Sequence, residues 1–251
     1  MTNTILKKLK NGEPTIGTWL QIPSPDVAEI IGNAGYDWVV VDLEHGGFSK
    51  LVLKDIFRAL ELNNNTVPLV RVAQTHPKDI KQALDAGAQG VILPMIESKA
   101  QLEDGISWSY YPPKGTRGVG YSRANLFGEN FDEYIEKFSS KILIVAQIEQ
   151  INAVTNLDDI LSVSDLDAIM VGPYDLSGSM GITGQFDHPD FIKAMDDIFQ
   201  KARHHAIPMG LHIVQTDKEL LKNKIKQGYQ FIAYGIDAVF LYNTSKNPYK
   251  V

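Results

Sequence analysis

Short apolar segments alternate with amphipathic helical patterns along the whole chain. Eight of these segments predict strands, at residues 15–20, 38–43, 67–72, 90–95, 142–149, 168–172, 208–213 and 231–235. Most are continuously apolar, as expected of parallel strands that are covered on both faces. Eight strand-then-helix units favour a (β/α)8 TIM barrel formed as one domain by residues 1–251. The rival fold, an open doubly wound sheet, is disfavoured because no GxGxxG follows the first strand.

Helix boundaries are also marked in the sequence. Ser24 is expected to cap a helix that closes at Gly35, and Thr75 is expected to cap one that closes at Gly87. A proline follows each capping residue within two positions, where a helix tolerates it best. These signals predict one helix between the first and second strands and one between the third and fourth.

Composition limits the possible partners and the chemistry. The 251 residues carry a net charge of −6 with no basic stripe, which argues against nucleic acid as a partner. The absence of cysteine excludes disulfides, thiolate metal sites and a cysteine nucleophile. The first residues lack the apolar core of a signal peptide, and no segment approaches membrane-spanning length, so a cytoplasmic protein without a membrane partner is expected.

Polar side chains gather where several predicted strands end. They are Asp42, Glu44 and His45 after the second strand, Arg71 in the third, Gln147 and Glu149 in the fifth, and Asp175 after the sixth. Active sites of such barrels lie at the C-terminal ends of the strands, so these side chains share one rim. The opposite rim shows mostly Gly, Ala and Pro. This asymmetry predicts an enzyme.

The carboxylates of Glu149 and Asp175 follow neighbouring strands and are expected to converge. Two carboxylates without a histidine suit a hard cation, Mg²⁺ or Mn²⁺, whose remaining ligands come from water and substrate. Taken singly, each acid is equally compatible with capping the next helix. The pair is what favours a metal site.

Three further residues have both a structural and a functional interpretation. His45 directly follows its strand and precedes two glycines, which favours a functional role over a structural one. Arg71 is costly to bury at a strand end unless a carboxylate or another anion lies beside it, and either role requires such a partner. Trp19 either lines a substrate pocket or fills the barrel.

Several motifs together resemble the HpcH/HpaI aldolase family of class II, metal-dependent pyruvate aldolases. They are GTWLQIPSP, DLEHGGFS, VRV, DAGAQGVILPMIES, PPKGTRGVG, AQIE and GPYDLSGSMG, which span residues 16–235 in this order. The resemblance implies a modified TIM barrel and a homo-oligomer, often a hexamer, whose last helix packs on a neighbouring subunit. It also implies a divalent cation, Mg²⁺ or Mn²⁺, with Co²⁺ possible.

The resemblance assigns a role to each matching residue. His45 corresponds to the general base, Arg71 to the arginine that stabilises the transition state, Glu149 and Asp175 to the metal ligands, Gln147 and Tyr174 to substrate contacts, and Asp85 to an acid that increases the basicity of the base. Position 174 is usually small in the family, so Tyr174 is expected to narrow the mouth and to affect the choice of aldehyde.

The implied reaction is reversible cleavage of a 4-hydroxy-2-oxo acid to an aldehyde and pyruvate or a close analogue. A Schiff-base aldolase needs a lysine at a C-terminal strand end, whereas Lys141 lies at the other end of its strand. A citryl- or malyl-CoA lyase would share the acids but needs a basic path for the CoA phosphates, and none is evident. A barrel that binds keto acids without turnover is a further alternative.

Asp85 conflicts with a site built from one chain. It ends the helix that follows the third strand, and that helix runs about 15 Å away from the catalytic rim. Asp85 is therefore expected to reach His45 of a neighbouring subunit, so that active sites are shared across an interface. The alternative is that Asp85 only caps the turn before Gly87.

Overall fold

The computed structural model describes residues 4–62, 66–139 and 141–249. Eight parallel strands form one closed barrel, and each strand pairs with the next in chain order until β8 meets β1. The strands are β1 (Thr15–Leu20), β2 (Trp38–Asp42), β3 (Val67–Arg71), β4 (Gly90–Leu93), β5 (Leu143–Ile148), β6 (Ala168–Val171), β7 (Met209–Ile213) and β8 (Phe231–Ile236). The predicted TIM barrel is confirmed.

The first helix precedes β1 and packs Ile5 and Leu9 against the interior cluster, the last follows β8, and the others lie between the strands in sequence. The helices are α1 (Thr4–Lys10), α2 (Pro25–Gly32), α3 (Lys50–Glu61), α4 (Pro77–Ala86), α5 (Lys99–Ser109), α6 (Phe131–Glu133), α7 (Ile151–Thr155), α8 (Leu157–Leu161), α9 (Pro173–Ser179), α10 (Pro189–His204), α11 (Lys218–Gln227) and α12 (Asp237–Thr244). A 3-10 turn at Arg123–Gly128 and a π turn at Tyr134–Phe138 flank α6. In the described part of the chain, no helix is long and apolar enough to cross a membrane.

The predicted helix caps are partly confirmed. The Ser24 side chain accepts a hydrogen bond from the backbone of Val27 and caps α2, as expected. The helix ends at Gly32, three residues before Gly35, which adopts a left-handed conformation in the following turn. The left-handed Gly87 ends α4, also as expected.

The prediction that Thr75 caps α4 is wrong. His76 occupies that position, and its Nδ1 accepts a hydrogen bond from the backbone of Lys78 at 3.3 Å. The Thr75 hydroxyl instead donates to the carbonyl of Pro94 at 2.9 Å, which ties the loop after β3 to the loop after β4. Thr75 therefore forms a tertiary hydrogen bond, and the neighbouring His76 caps the helix.

The barrel interior is closed at the end opposite the strand C-termini. The rings of Trp38 and Phe231 stack there with centroids 4.2 Å apart, and both side chains are fully buried. Gly17 makes this packing possible, because a Cβ at this position would lie only 2.0 Å from the Trp38 ring. Aromatic side chains therefore fill this end of the barrel, and the polar residues gather at the opposite rim.

Candidate active site

Arg71 and Asp42 form a buried, bidentate ion pair at the C-terminal rim. The strand register places them side by side on β3 and β2. The Nε and Nη2 atoms of Arg71 donate to the two carboxylate oxygens of Asp42 at 2.9 and 2.7 Å. Burial alone would raise the pKa of Asp42, but the hydrogen bonds and the charge of Arg71 outweigh burial and lower it. The carboxylate that the sequence required beside Arg71 is Asp42.

The rest of the Arg71 guanidinium contacts Trp19 and Glu44. Its central carbon lies 4.4 Å from the centroid of the Trp19 ring, a cation–π distance. Its Nη1 lies 2.8 Å from a carboxylate oxygen of Glu44, but the angles do not form an aligned hydrogen bond. Burial raises the pKa of Glu44, and the nearby charge of Arg71 only partly opposes that effect. Arg71 is thus fixed on three sides, and Trp19 lies at the mouth of the site.

Glu149 is a buried acid that faces other acids. It is 1% exposed, and its carboxylate accepts hydrogen bonds from the backbone of Met95 at 2.7 Å and from the side-chain amide of Gln147. Burial raises the pKa of Glu149, and the carboxylates of Glu44 and Asp175 raise it further. The charges with the largest effects on the pKa of Glu149 are therefore the two carboxylates, and not a positively charged side chain.

The glycine that directly follows β6 makes room for the Glu149 carboxylate. A Cβ at Gly172 would lie 2.8 Å from the nearer Glu149 oxygen, so a side chain cannot be placed there without displacing the carboxylate. The carbonyl oxygen of the Gln147 side chain is buried beside it and has no hydrogen-bond partner among the described residues. The absence of a side chain at Gly172 therefore lets the Glu149 carboxylate lie beside the Gln147 amide.

Asp175 and Tyr174 lie in the first turn of α9, directly after β6. Asp175 is exposed, and its charge acts on both Glu149 and Glu44. The Tyr174 side chain is 59% exposed and packs edge-to-face on Phe186, with centroids 4.9 Å apart. The negative charges of Glu44, Glu149 and Asp175 therefore repel one another at the mouth of the site. Tyr174 lies at the edge of this mouth.

The donor set fits a divalent cation with a partly open coordination sphere. No cluster of three or more histidine, aspartate or glutamate ligands occurs in the described part of the chain. Glu149 and Asp175 act on each other as like charges, and Arg71 is already paired with Asp42. A cation held by these two carboxylates would relieve their repulsion and take its remaining oxygen ligands from water and substrate.

His45 lies on the loop after β2, where its side chain is exposed. Its backbone N–H donates to Asp42 at 3.3 Å, which links the start of the loop to the Arg71 pair. No residue of the described chain forms a hydrogen bond with its ring. The imidazole is therefore free to meet a substrate or a neighbouring subunit.

Asp85 lies in the last turn of α4 and forms an ion pair with Arg117 of the same chain. The Nη2 atom of Arg117 lies 2.5 Å from the Asp85 carboxylate, and Arg117 is buried against the ring of Tyr111. Asp85 also lines a cavity of about 550 Å³ that extends to Phe48 on the loop carrying His45. The shared site, in which His45 of a neighbouring subunit meets Asp85, stays a prediction.

Sequence reasoning missed three contributions. It placed Asp42 on the rim without assigning it to Arg71, and it gave no role to Gly172 or to His212, whose ring stacks on that of Trp19 with centroids 5.1 Å apart. The signal for His212 was a polar residue in the otherwise apolar seventh strand. The roles of Asp42 and Gly172 depend on strand register and on close packing, and neither can be read from a single sequence.

A closed barrel with acids, an arginine and a histidine on its C-terminal rim defines a barrel enzyme. The family model described as HpcH/HpaI aldolase/citrate lyase matches residues 15–244. The chain belongs to the HpcH/HpaI aldolase/citrate lyase family, and it is a carbon–carbon lyase.

The relatives cover nearly the whole chain. A hydroxypyruvate/pyruvate aldolase of Roseobacter denitrificans is 35% identical over 98% of this chain and 95% of its own length. A 4-hydroxy-2-oxo-heptane-1,7-dioate aldolase of Shigella boydii is 33% identical over 96% and 91%. The crystal structure of a family protein from Burkholderia cenocepacia superposes with a TM-score of 0.92 at 29% identity, covering 97% of this chain and 96% of that one.

Proposed function

We propose that this aldolase cleaves a 4-hydroxy-2-oxo acid reversibly into an aldehyde and pyruvate, or a close analogue of pyruvate, with a divalent cation as cofactor. The observation that carries the proposal is the grouping of Glu149, Asp175 and Arg71 at the C-terminal rim of the barrel. The opposite end is filled by the stacked rings of Trp38 and Phe231. The names of the relatives, aldolases for 4-hydroxy-2-oxo acids and for pyruvate, support the same substrate class.

In this proposal Glu149 and Asp175 hold Mg²⁺ or Mn²⁺, with Co²⁺ as a further candidate. Once bound, such a cation would act as a Lewis acid on the 2-keto oxygen. The Gln147 amide, which donates one N–H to Glu149 and has a second to donate to a substrate oxygen, and the backbone at Tyr174 orient the 2-oxo acid. Trp19 forms a wall of the pocket beside Arg71, where it excludes water from the reacting atoms.

Arg71 supplies a fixed positive charge where negative charge develops. When the bond between C3 and C4 breaks, its electron pair moves toward C2 and the keto oxygen gains charge. The bidentate contact with Asp42 holds the guanidinium in one orientation before the reaction, so little reorganisation is required. Such a preorganised donor contributes about 3–4 kcal/mol to transition-state stabilisation.

His45 is proposed as the general base. It takes the proton of the 4-hydroxyl group, directly or through one water, as the aldehyde forms, a contribution of about 10²–10⁴-fold. A proton is then delivered to C3 to complete pyruvate. Asp85 of a neighbouring subunit would increase the basicity of His45, which requires a homo-oligomer with shared sites, and the family resemblance favours a hexamer.

Tyr174 is proposed to limit the size of the aldehyde. Its ring stands at the edge of the mouth and is held by Phe186, so a bulky aldehyde would have to displace an aromatic pair. The effect concerns the C4 side of the substrate only. The pyruvate half binds deeper, next to Glu149 and Arg71.

The deciding experiment is a pyruvate-release assay with a panel of 4-hydroxy-2-oxo acids, run with and without EDTA. The proposal requires release in the presence of Mg²⁺ or Mn²⁺ and its loss in EDTA. Activity that persists in excess EDTA, or covalent trapping by borohydride, would contradict it. Malyl-CoA and citryl-CoA are tested in parallel for release of acetyl-CoA, because turnover of these thioesters alone would assign a CoA lyase instead.

A further inference from the structure

Glu44 is an acid at the mouth of the site to which the proposed mechanism assigns no role. It lies on the loop after β2, and its Oε2 atom lies 2.8 Å from Nη1 of Arg71 without an aligned hydrogen bond. Oε2 is fully enclosed there, whereas the side chain as a whole is 22% exposed and Oε1 is not enclosed. The carboxyl group therefore turns one oxygen toward Arg71 and leaves the other open to the mouth.

The other acids of the rim already have partners. Asp42 accepts two hydrogen bonds from Arg71, and Glu149 accepts hydrogen bonds from a backbone N–H and from a side-chain amide. Among the described residues, none forms an aligned hydrogen bond with the carboxyl group of Glu44. A proton on Glu44 is therefore not held by a second acceptor and is free to move to a substrate atom.

The surroundings of Glu44 favour its protonated form. Burial is the largest effect on its pKa and raises it, and the charges of Asp42 and Asp175 raise it further. The charges of Arg71 and His45 oppose this shift without reversing it. Because Oε2 faces an N–H donor on Arg71, the proton of the acid form belongs on Oε1, the oxygen open to the mouth.

Arg71 places Glu44 beside the carbon that gains a proton. Arg71 has five N–H groups, and two of them are donated to Asp42. The remaining groups face Glu44 and, in the proposed mechanism, the keto oxygen on C2. C3 is bonded to C2, so an acid that shares this guanidinium with the keto oxygen lies next to C3.

We propose that Glu44 is the acid that protonates C3 after cleavage and the base that removes a C3 proton in the aldol direction. The Oε1–H bond breaks, and the electron pair of the enolate double bond forms the new C3–H bond while the keto group is restored. Glu44 is left as a carboxylate. This inference rests on the proposed function and adds a catalytic residue to it.

The proton balance closes through His45. His45 directly follows Glu44 in sequence, and its charge acts on the Glu44 carboxyl group. The proton that His45 takes from the 4-hydroxyl group returns to Glu44, directly or through water. Cleavage therefore consumes no net proton, and no further acid is required.

The experiment follows exchange of the pyruvate methyl protons with D₂O by proton NMR, using the full chain and Mg²⁺. Glu44→Gln, which keeps the shape but cannot transfer the proton, should slow exchange by about 10²–10⁴-fold. Glu44→Ala should regain part of the exchange as formate is added, because formate supplies the missing carboxylate. A residue with only a structural role would not respond to formate.

Calorimetric dissociation constants for Mg²⁺ and for pyruvate provide a second readout that does not depend on turnover. Both should remain at their wild-type values in Glu44→Gln. Glu97→Gln, which alters an acid bonded to Asn152 on the loop after β4, is the matched control and should exchange at the wild-type rate. Circular dichroism of each variant verifies that the barrel is folded.

Two results would overturn the inference. Undiminished exchange in Glu44→Gln would show that another group transfers the C3 proton. Slower exchange together with weaker Mg²⁺ binding would make Glu44 a ligand of the cation instead.

Failure of the proposed function is distinguishable, because the exchange assay contains neither an aldehyde nor a 4-hydroxy-2-oxo acid. If exchange depends on Glu44 but no 4-hydroxy-2-oxo acid is cleaved, the role of Glu44 stands and the aldol reaction does not. If these acids are cleaved but the wild type exchanges no methyl protons, the reaction stands and the role of Glu44 does not.

Discussion

Asp42 and Arg71 are direct partners in the register of β2 and β3, and the bidentate ion pair between them links two strands at the floor of the active-site mouth. Asp42 is fully buried and also accepts hydrogen bonds from the Gln21 side chain and from the backbone of Glu44 and His45. One carboxylate thus orients the arginine and fixes the start of the loop that carries the proposed base.

Replacement of Asp42 by alanine should destabilise the barrel as well as impair catalysis. The buried guanidinium of Arg71 would lose its paired charge, which lowers the free energy of unfolding by about 3–5 kcal/mol. Urea denaturation at pH 7 measures the loss. Asp55→Ala, which breaks an exposed pair with Arg58, is the matched control and should change stability by less than about 1 kcal/mol.

The same pair should have a defined pH dependence. Because the folded pKa of Asp42 is lowered, its stabilising effect is present above the unfolded value of about 3.9 and is lost as the pH falls through the folded pKa. A difference between wild type and Asp42→Ala that stays constant down to the lowest accessible pH would contradict this assignment.

Removal of the cation should abolish turnover without unfolding the chain. EDTA treatment, Glu149→Gln and Asp175→Asn should each eliminate pyruvate release, and only the EDTA-treated wild type should recover when Mg²⁺ or Mn²⁺ is added. Asp158→Asn, which alters an acid paired with Lys201 on the surface, should retain activity. Full activity in either acid variant would remove that residue from the metal site.

His45→Ala should separate two reactions of the same site. Cleavage of a 4-hydroxy-2-oxo acid needs removal of the hydroxyl proton, so it should fall by about 10²–10⁴-fold. Decarboxylation of oxaloacetate needs no such proton transfer and should lose far less. Both rates are measured on the same preparation. Equal losses would refute the role of His45 as base.

Mixing two inactive variants should test whether sites are shared. His45→Ala chains keep Asp85, and Asp85→Ala chains keep His45, so random assembly would regenerate about a quarter of the sites if the two residues come from different subunits. Co-refolded mixtures should release pyruvate faster than either variant alone. No recovery in a mixture shown to form hetero-oligomers would assign Asp85 only to its own Arg117.

Asp167 offers a stability test away from the active site. Its carboxylate accepts a hydrogen bond from the backbone of Ile144 at 2.9 Å, and burial raises its pKa to about 6. The folded state therefore binds its proton more tightly than the unfolded state does, so the contribution of Asp167 to stability falls as the pH rises from about 4 to 6.

The variant Asp167→Asn keeps the acceptor and removes the charge. It should be more stable than wild type by about 1–3 kcal/mol at pH 7 and should match wild type near pH 4. Urea denaturation across this pH range measures the difference. An Asn variant that is less stable by the same amount at every pH would show that the hydrogen bond, and not the charge, controls this position.

The sequence by itself determined the barrel and the rim. Most of the eight strand segments are continuously apolar and need two covered faces, which the alternating helices provide, so a parallel sheet follows from burial. The absence of GxGxxG after the first strand then favoured the closed barrel over an open sheet. Strand ends that carry Arg71, Gln147 and Glu149 could then only meet at one rim. The need for an acid beside Arg71 was also readable, because a buried guanidinium without a counter-charge is costly.

Only the tertiary structure decided which side chains face each other. Strand register selected Asp42 for Arg71, and a backbone without a side chain at Gly172 gave the Glu149 carboxylate its space. The stacking of His212 on Trp19 joins β7 to β1, which are almost two hundred residues apart in sequence. Local sequence patterns record burial and turns, whereas these contacts depend on distances between strands that are established only when the barrel closes.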